Sequence, residues 1–313
     1  MTKPEIAIVG VYPAWDMEAI DAAYTAHRLW EAGDRDSFID SIGANVRAIA
    51  TRGELGASAD LMCRFPKLEI VSCYGVGTDA IDLSYARGHG IRVTNTPDVL
   101  TNDVADLGIA LMLATARQIP QSDRFVRDGS WAKGNMPLVT RVYGKKVGIV
   151  GMGRIGQAIA RRASGFDCEI AYTSRTPKAE IPYRYFDSAA SLADWAEFLI
   201  VIVSGGEGTK DIINAEVLSA LGPNGFLINI SRGTTVDEAA LLEALENGRI
   251  KGAGLDVFRN EPKIDARFMA LPNVVLHPHH GSGTIETRQA MGKLVRDNLA
   301  AHFAGKELLT PVA

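Results

Sequence analysis

The sequence predicts an α/β protein with two doubly wound parallel-sheet domains, the second inserted into the first. Short apolar segments of strand length alternate with helical segments, which is typical of a parallel sheet covered on both faces. A glycine-rich loop near the middle of the chain follows one such strand and opens a helix. With 313 residues, the chain is long enough for two domains of about 100–200 residues each.

The first part of the chain contains four apolar strand candidates. They are Glu5–Val9, Ala48–Ala50, Glu69–Cys73 and Ile91–Thr94, and a helix is expected from about Asp16 to Glu31. The segment Asn95-Thr96-Pro97-Asp98 interrupts this pattern. Because proline restricts itself and the residue before it, this segment predicts a domain boundary.

The second part begins with a long apolar helix, expected from about Thr101 to Arg117. Strands are predicted at Lys146–Val150, Glu169–Thr173, Phe198–Val203, Phe226–Ile230, Gly252–Asp256 and Val274–Leu276. A final helix, from about Thr284 to Phe303, follows and is expected to return to the first domain. The predicted domains are therefore 1–97 plus 288–313, and 98–287.

Composition excludes several classes of function. The net charge of −4 and the absence of a long Lys or Arg run argue against a nucleic-acid partner. The longest apolar runs, Leu107–Ala114 and Phe198–Val203, are shorter than the roughly 20 residues of a membrane span. Cys63, Cys73 and Cys168 are widely spaced and odd in number, which is typical of free intracellular thiols. We expect them to be small, buried hydrophobic residues. We therefore expect a cytoplasmic protein without membrane contact.

The glycine loop Gly151-Met152-Gly153-Arg154-Ile155-Gly156 predicts a dinucleotide site. The first glycine makes a tight turn, the second admits a pyrophosphate, and the third lets the helix pack on the strand. Free N–H groups and the positive end of the helix favour the phosphates. A lone GxGxxG pattern is weak, but the preceding strand and the following helix and strand strengthen it.

The residues after the second strand of this unit predict NADP rather than NAD. NAD-binding proteins usually carry Asp or Glu there to hold the ribose 2′-hydroxyl. This chain has Ser174, Arg175 and Thr176 instead. Arg175 can bind a 2′-phosphate with two hydrogen bonds, and the neighbouring hydroxyl groups can donate more. A solvated polar turn is the alternative interpretation.

Three polar residues follow strand ends, where open α/β sheets bind ligands. They are Arg232, Glu261 and His279. Reduction of a ketone needs a proton donor, for which histidine is the natural candidate, and a carboxylate could hold its ring. An arginine would polarise the carbonyl and bind a carboxylate. On spacing alone His280 is an equal candidate, and a metal site at the histidine cluster is disfavoured because Cys or carboxylate ligands are missing nearby.

These motifs together resemble the D-isomer-specific 2-hydroxyacid dehydrogenases along essentially the whole chain. The matching segments are Gly75–Asp79, Val93–Thr101, Val104–Asp106, the glycine loop, Ile230–Gly233, Gly252–Phe258 and Pro278–Ser282. Within that family the chain is most similar to the NADPH-preferring hydroxypyruvate, hydroxyphenylpyruvate and glyoxylate reductases. The resemblance implies a Rossmann NADP-binding domain inserted into a flavodoxin-like substrate domain, and reduction of a 2-oxo acid to the D-2-hydroxy acid.

The resemblance also implies residue roles. His279 is expected to donate the proton, Glu261 to orient it, and Arg232 to hold the 2-oxo acid. The substrate residues would be Tyr74, Val76, Gly77 and Arg232. The cofactor would be bound by Gly151, Gly153, Arg154, Ile155, Gly156, Ser174, Arg175, Thr176, Val203, Ser204, Ile230, Ser231, Arg232, Asp256, His279 and Gly281, with no metal.

Two further expectations follow from the family. Its members are usually homodimers joined through the region Thr101–Tyr143, in which Trp131 could reach the partner's pocket. After Phe198–Val203 the family has a proline-containing turn, whereas Ser204–Thr209 is glycine-rich and is expected to be looser.

Two alternatives remain open at the level of sequence. One is an NAD-linked D-lactate or phosphoglycerate-type dehydrogenase, which the missing acidic residue disfavours. The other is a cofactor-sensing corepressor of the same fold, which would bind the nucleotide without turning over a 2-oxo acid.

Overall fold

Two compact units make up the protein in a computed structural model that describes residues 2–312. Unit 1 contains the chain up to Leu100 and again from Ser282, and unit 2 is Thr101–Gly281. The sequence placed these boundaries after residue 97 and before residue 288. Both units are α/β, as predicted, and each contains a single parallel sheet.

Unit 1 has a five-stranded sheet. Its strands are β1 (Glu5–Ile8), β2 (Thr25–Arg28), β3 (Val46–Arg52), β4 (Ile70–Tyr74) and β5 (Arg92–Thr94). They lie in the order β2-β1-β3-β4-β5, all parallel, which is the flavodoxin-like order. Its helices are α1 (Ala14–Ala23), α2 (Arg35–Ile42), α3 (Ala59–Met62), α4 (Leu83–Gly88) and the C-terminal α12 (Ile285–Phe303).

Unit 2 has a seven-stranded sheet. Its strands are β6 (Lys146–Val150), β7 (Glu169–Thr173), β8 (Arg184–Tyr185), β9 (Phe198–Val201), β10 (Phe226–Asn229), β11 (Gly252–Leu255) and β12 (Val274–Leu276). The order β12-β11-β10-β9-β6-β7-β8 contains the Rossmann arrangement, with its switch point between β6 and β9. Its helices are α5 (Thr101–Ala116), α6 (Ile119–Arg127), α7 (Arg154–Ser164), α8 (Ala189–Trp195), α9 (Ala215–Leu221), α10 (Glu238–Glu246) and α11 (Ala266–Ala270).

The central strands explain why the sequence pattern was informative. Every residue of β4, β9, β10 and β11 is buried, as expected for strands covered by helices on both faces. Such strands appear in the sequence as continuous apolar runs. The helix α12 belongs to unit 1, and its Arg296 forms an ion pair with Asp16, a fully buried residue of α1.

Two expectations were wrong. The helix predicted from Asp16 to Glu31 ends at Ala23, and strand β2 occupies Thr25–Arg28. This strand lies at the sheet edge and none of its residues is fully buried, so it lacks the apolar run that identifies the central strands. Of the three free cysteines only Cys73 is buried, whereas Cys63 is exposed.

Between residues 2 and 312, no helix is both long and apolar enough to cross a membrane.

Candidate active site

The glycine loop joins β6 to α7 with very little space around two of its three glycines. Gly151 has a φ of +107°, and a Cβ there would lie 2.4 Å from the Ile202 carbonyl oxygen. A Cβ at Gly156 would lie 2.1 Å from the Gly151 carbonyl oxygen. The first and third glycines are therefore required by the turn and by the packing of helix on strand.

The surroundings of the middle glycine, Gly153, differ from those of Gly151 and Gly156. A Cβ at Gly153 would meet no atom within 4 Å, so the backbone there faces open space. Gly153 is also the N-cap of α7 and provides no side-chain cap, which leaves the first N–H groups of the helix available. Arg154 and Ile155 form the first turn. This is the cradle that a pyrophosphate would fill.

The turn after β7 is ordered by its own hydrogen bonds. The Ser174 hydroxyl donates to the Thr176 carbonyl at 2.7 Å, and the Tyr172 hydroxyl accepts from the Lys178 N–H at 2.9 Å. Arg175 and Thr176 are exposed. The Arg175 guanidinium makes no hydrogen bond or ion pair with any residue between 2 and 312. A basic group without a carboxylate at this position fits a 2′-phosphate.

His279 and Glu261 form a hydrogen-bonded pair. His279 Nδ1 lies 2.6 Å from Glu261 Oε2, and Glu261 Oε1 accepts the Phe258 N–H at 2.7 Å. Both carboxylate oxygens are thereby used, so Glu261 fixes the ring through one nitrogen and leaves Nε2 of His279 for other chemistry. This contact distinguishes His279 from its neighbour His280, for which sequence spacing was no guide.

Charge and burial act against each other at Glu261. Burial is the largest influence and would raise the pKa of its carboxyl group. The hydrogen bond and charge of His279, the Phe258 N–H group and the charge of Arg232 together outweigh it and lower the pKa of Glu261. The carboxylate is therefore ionised at neutral pH and can accept the N–H of the adjoining imidazole.

Hydrogen bonds to the Arg232 carbonyl fix the backbone at this residue. Its carbonyl accepts hydrogen bonds from the Thr235 hydroxyl at 2.6 Å and the Asn229 amide at 3.1 Å. The next residue, Gly233, packs on another loop so closely that a Cβ would lie 1.9 Å from the Phe258 carbonyl carbon. Because Phe258 also donates to Glu261, this glycine brings the Arg232 segment against the Glu261 loop.

Asp256 organises the turn that carries His279. Its carboxylate accepts the His280 N–H at 2.8 Å, the Gly281 N–H at 3.1 Å and the His277 ring nitrogen at 2.5 Å. Its carbonyl accepts the His279 N–H at 2.7 Å, and His279 has a left-handed φ of +50°. The sequence suggested only a cofactor contact for Asp256. Its position one residue after β11, beside β12, is the signal that could have indicated this role.

The loop after β9 is more constrained than its glycines suggested. The Thr209 hydroxyl donates to the Ser204 carbonyl at 2.7 Å, closing the Ser204–Thr209 segment over a short 3-10 turn. The Ser231 hydroxyl donates to the Val203 carbonyl at 2.5 Å, which ties the end of β9 to the end of β10. Ile230 and Ser231 are both buried.

The remaining predicted residues lie in unit 1. The Tyr74 hydroxyl donates to the Arg288 carbonyl at 2.7 Å and is thus used within the fold. The carbonyl of Val76 accepts the Asn95 amide at 2.9 Å. Within residues 2–312 the N–H groups of Val76 and Gly77 donate to no acceptor, so they are available for an anionic ligand.

Metal ligands are a separate question for the histidine cluster. No group of three His, Cys, Asp or Glu between residues 2 and 312 could hold a metal ion. His277 and His279 instead each pair with one carboxylate, Asp256 and Glu261.

Comparison with known proteins gives a consistent picture. Residues 109–281 match the family model of the D-isomer specific 2-hydroxyacid dehydrogenase, NAD binding domain. The chain is 49% identical to hydroxyphenylpyruvate reductase of Plectranthus scutellarioides over 94% of each chain. The structure of a 2-hydroxyacid dehydrogenase from Ketogulonicigenium vulgare is 55% identical with a TM-score of 0.93, covering 100% of this chain and 99% of that one.

A second solved structure was obtained with a cofactor. It is an NADPH-dependent glyoxylate/hydroxypyruvate reductase from Sinorhizobium meliloti in complex with NADP and malonate. It is 44% identical with a TM-score of 0.92, covering 100% of this chain and 97% of that one. From the family model, these similarities, the glycine-loop cradle and the hydrogen-bonded pair of His279 and Glu261, we conclude that the chain is an oxidoreductase of the D-isomer specific 2-hydroxyacid dehydrogenase family.

Proposed function

We propose that this protein reduces a small 2-oxo acid to the D-2-hydroxy acid with NADPH, glyoxylate, hydroxypyruvate and arylpyruvates being the candidate substrates. The hydrogen bond between His279 and Glu261 is the observation that carries the proposal, because it supplies a held proton donor. Two of the relatives named above are reductases of hydroxyphenylpyruvate and of glyoxylate and hydroxypyruvate, and the second of these is NADPH-dependent.

NADP is the proposed cofactor, and the residues of unit 2 fit it. The open backbone at Gly153 and the uncapped start of α7 would hold the pyrophosphate. Ser174, Arg175 and Thr176 would hold the 2′-phosphate. The chemistry that a bound nicotinamide supplies is hydride donation to the keto carbon.

The chain's own residues then account for the rest of the reaction. Arg232 holds the substrate carboxylate and polarises the keto oxygen. His279 donates the proton from Nε2 to that oxygen, so that hydride and proton together convert the ketone into the hydroxyl group. Glu261 keeps Nδ1 protonated and stabilises the imidazolium form before transfer. In unit 1, the N–H groups of Val76 and Gly77 bind the carboxylate.

Initial rates of NADPH oxidation test this proposal, with NADH in parallel. The substrates are glyoxylate, hydroxypyruvate, pyruvate, phenylpyruvate and hydroxyphenylpyruvate. A preference for NADPH with at least one 2-oxo acid is expected, and His279→Ala should lower kcat by about 10²- to 10⁴-fold while NADPH binding persists. A folded protein that binds NADPH but oxidises it with none of these acids would instead be a cofactor sensor.

We also propose that the protein is a homodimer through the Thr101–Tyr143 region. Helix α6 has no buried residue, although it carries apolar side chains. Ile119 and Val126 of this helix are exposed, and further exposed apolar residues follow the helix. These are Trp131, Leu138 and Tyr143. Such a surface is typical of a protein interface. Light scattering on Val126→Glu should then give a monomer where the unaltered protein gives a dimer. The cytoplasmic location remains a prediction.

A further inference from the structure

Two arginines flank one tyrosine at the carboxyl edge of the unit 1 sheet. Arg52 ends β3 and Tyr74 ends β4, and the two residues are register partners in adjacent parallel strands. The Arg288 guanidinium lies 5.7 Å from the centre of the Tyr74 ring, and the Arg288 carbonyl accepts the Tyr74 hydroxyl. The buried Tyr74 ring therefore lies between two positively charged side chains, Arg52 and Arg288.

The two guanidinium groups differ in how their donors are used. Arg52 Nε lies 2.7 Å from Glu54 Oε1, and one terminal nitrogen reaches the Val11 carbonyl at 3.4 Å. The Arg288 guanidinium interacts with the Tyr74 hydroxyl, and it makes no ion pair or hydrogen bond with any residue from 2 to 312 besides Tyr74. Both side chains are half-buried. A guanidinium group has five N–H donors, and the Tyr74 hydroxyl cannot accept all of them, so Arg288 has further donors for a ligand.

This cluster adjoins the N–H groups of Val76 and Gly77. The Tyr74 carbonyl accepts the Gly53 N–H at 3.3 Å, and a Cβ on Gly75 would lie 3.3 Å from the Gly53 backbone. The loops after β3 and β4 are thus in contact. A carboxylate bound by those N–H groups would place the opposite end of a short 2-oxo acid beside the arginines.

We propose that Arg52 and Arg288 form a subsite for the substrate tail, selecting 2-oxo acids whose chain beyond the keto carbon carries oxygen acceptors. The inference rests on the proposed function and deepens it, because it favours a hydroxylated or carboxylated tail over an aromatic or alkyl one. A guanidinium group offers donors to hydroxyl and carboxylate oxygens, whereas an alkyl tail would leave these donors unsatisfied. Glyoxylate has no tail and cannot use the subsite.

The test compares kcat/KM for matched substrates with NADPH. Hydroxypyruvate and 2-oxobutyrate have tails of similar size, one ending in a hydroxyl and the other in a methyl group. 2-Oxoglutarate tests a carboxylate tail, phenylpyruvate an aromatic one, and glyoxylate reports the reaction without a tail. The variants are Arg52→Met, Arg52→Lys and Arg288→Met, with Arg87→Met, at an exposed residue of α4, as the matched control.

The unaltered protein should prefer hydroxypyruvate to 2-oxobutyrate by about tenfold or more, since a hydrogen bond to a charged group discriminates at that scale. Arg52→Met and Arg288→Met should each lower this ratio by about tenfold, Arg52→Lys should lower it less, and Arg87→Met should preserve it. The kcat/KM of either hydroxypyruvate or 2-oxoglutarate should fall further in Arg52→Met and Arg288→Met. The substrate with the larger fall shows whether the subsite binds a hydroxyl or a carboxylate group.

Two results would overturn the inference while leaving the proposed function intact. One is a preference of the unaltered protein for 2-oxobutyrate or phenylpyruvate. The other is an equal loss for hydroxypyruvate, 2-oxobutyrate and glyoxylate in variants whose thermal unfolding is unchanged. If the unaltered protein turned over none of these acids, the proposed function itself would fail.

Discussion

Replacing Glu261 with glutamine tests the proposed proton donor most directly. The carboxylate now accepts two hydrogen bonds, from His279 Nδ1 at 2.6 Å and from the Phe258 N–H at 2.7 Å. An amide has one oxygen, so it can serve only one of these donors. If the oxygen stays with Phe258, the amide NH₂ group faces Nδ1 and disfavours a proton there.

The expected loss follows from the bond that is removed. A hydrogen bond to a charged group contributes about 1.5–3 kcal/mol. Because 1.4 kcal/mol corresponds to a factor of ten, Glu261→Gln should lower kcat/KM by about 10- to 150-fold. The dissociation constant of NADPH should change by less than about threefold, since the glycine loop and the turn after β7 are untouched.

The assay is the pH profile of kcat/KM for reduction, measured beside NADPH binding by fluorescence. Glu238→Gln is the matched control, because Glu238 accepts the Arg259 N–H at 2.6 Å and has no hydrogen bond to His279. It should stay within about twofold of the unaltered protein. The reasoning is refuted if Glu261→Gln retains full kcat/KM while His279→Ala does not, or if both glutamine variants lose equally.

Other predictions concern cofactor binding, the packing of two glycines and the dependence of folding stability on acid pH. Arg175→Ala should weaken NADPH binding by about 10- to 150-fold and NADH binding by less than threefold, measured by titration; equal losses would place the 2′-phosphate elsewhere. Gly233→Ala should destabilise the protein by about 1–3 kcal/mol in urea unfolding, because its Cβ would meet the Phe258 backbone. Gly153→Ala should retain stability but bind NADPH more weakly, and the reverse pattern would contradict the loop assignment. The lowered pKa of Glu261 stabilises the folded state above about pH 4.5, and this contribution is lost as pH falls through the folded value. The stability difference between the unaltered protein and Glu261→Gln should therefore shrink below about pH 4.5, whereas a constant difference would argue against ionisation of Glu261 as its cause.

The buried parts of the fold were predictable because burial leaves a mark in the sequence. Strands β6, β7 and β12 have the bounds that the sequence predicted, and β9, β10 and β11 end one or two residues early. The edge strand β2 was missed since solvent on one side removes the need for an apolar run. The two-residue β8 was missed for the same reason and because it is so short.

The catalytic candidates show a similar division. Their positions after strand ends indicated that Arg232, Glu261 and His279 belong to one edge of a sheet. Their partners could not be deduced, because His279 and His280 are neighbours with identical side chains. Only the left-handed backbone of His279, fixed by hydrogen bonds to Asp256, turns one ring toward Glu261.

The sequence by itself determined the fold class, the glycine-loop cradle and the absence of an acidic residue at the ribose position, because each depends on local residue type and periodicity. The tertiary structure decided which ring pairs with Glu261, how Asp256 holds the turn, and that Arg52 and Arg288 meet at Tyr74. These contacts join residues 18 to more than 200 positions apart, and such distances are closed only by packing whole strands and helices together.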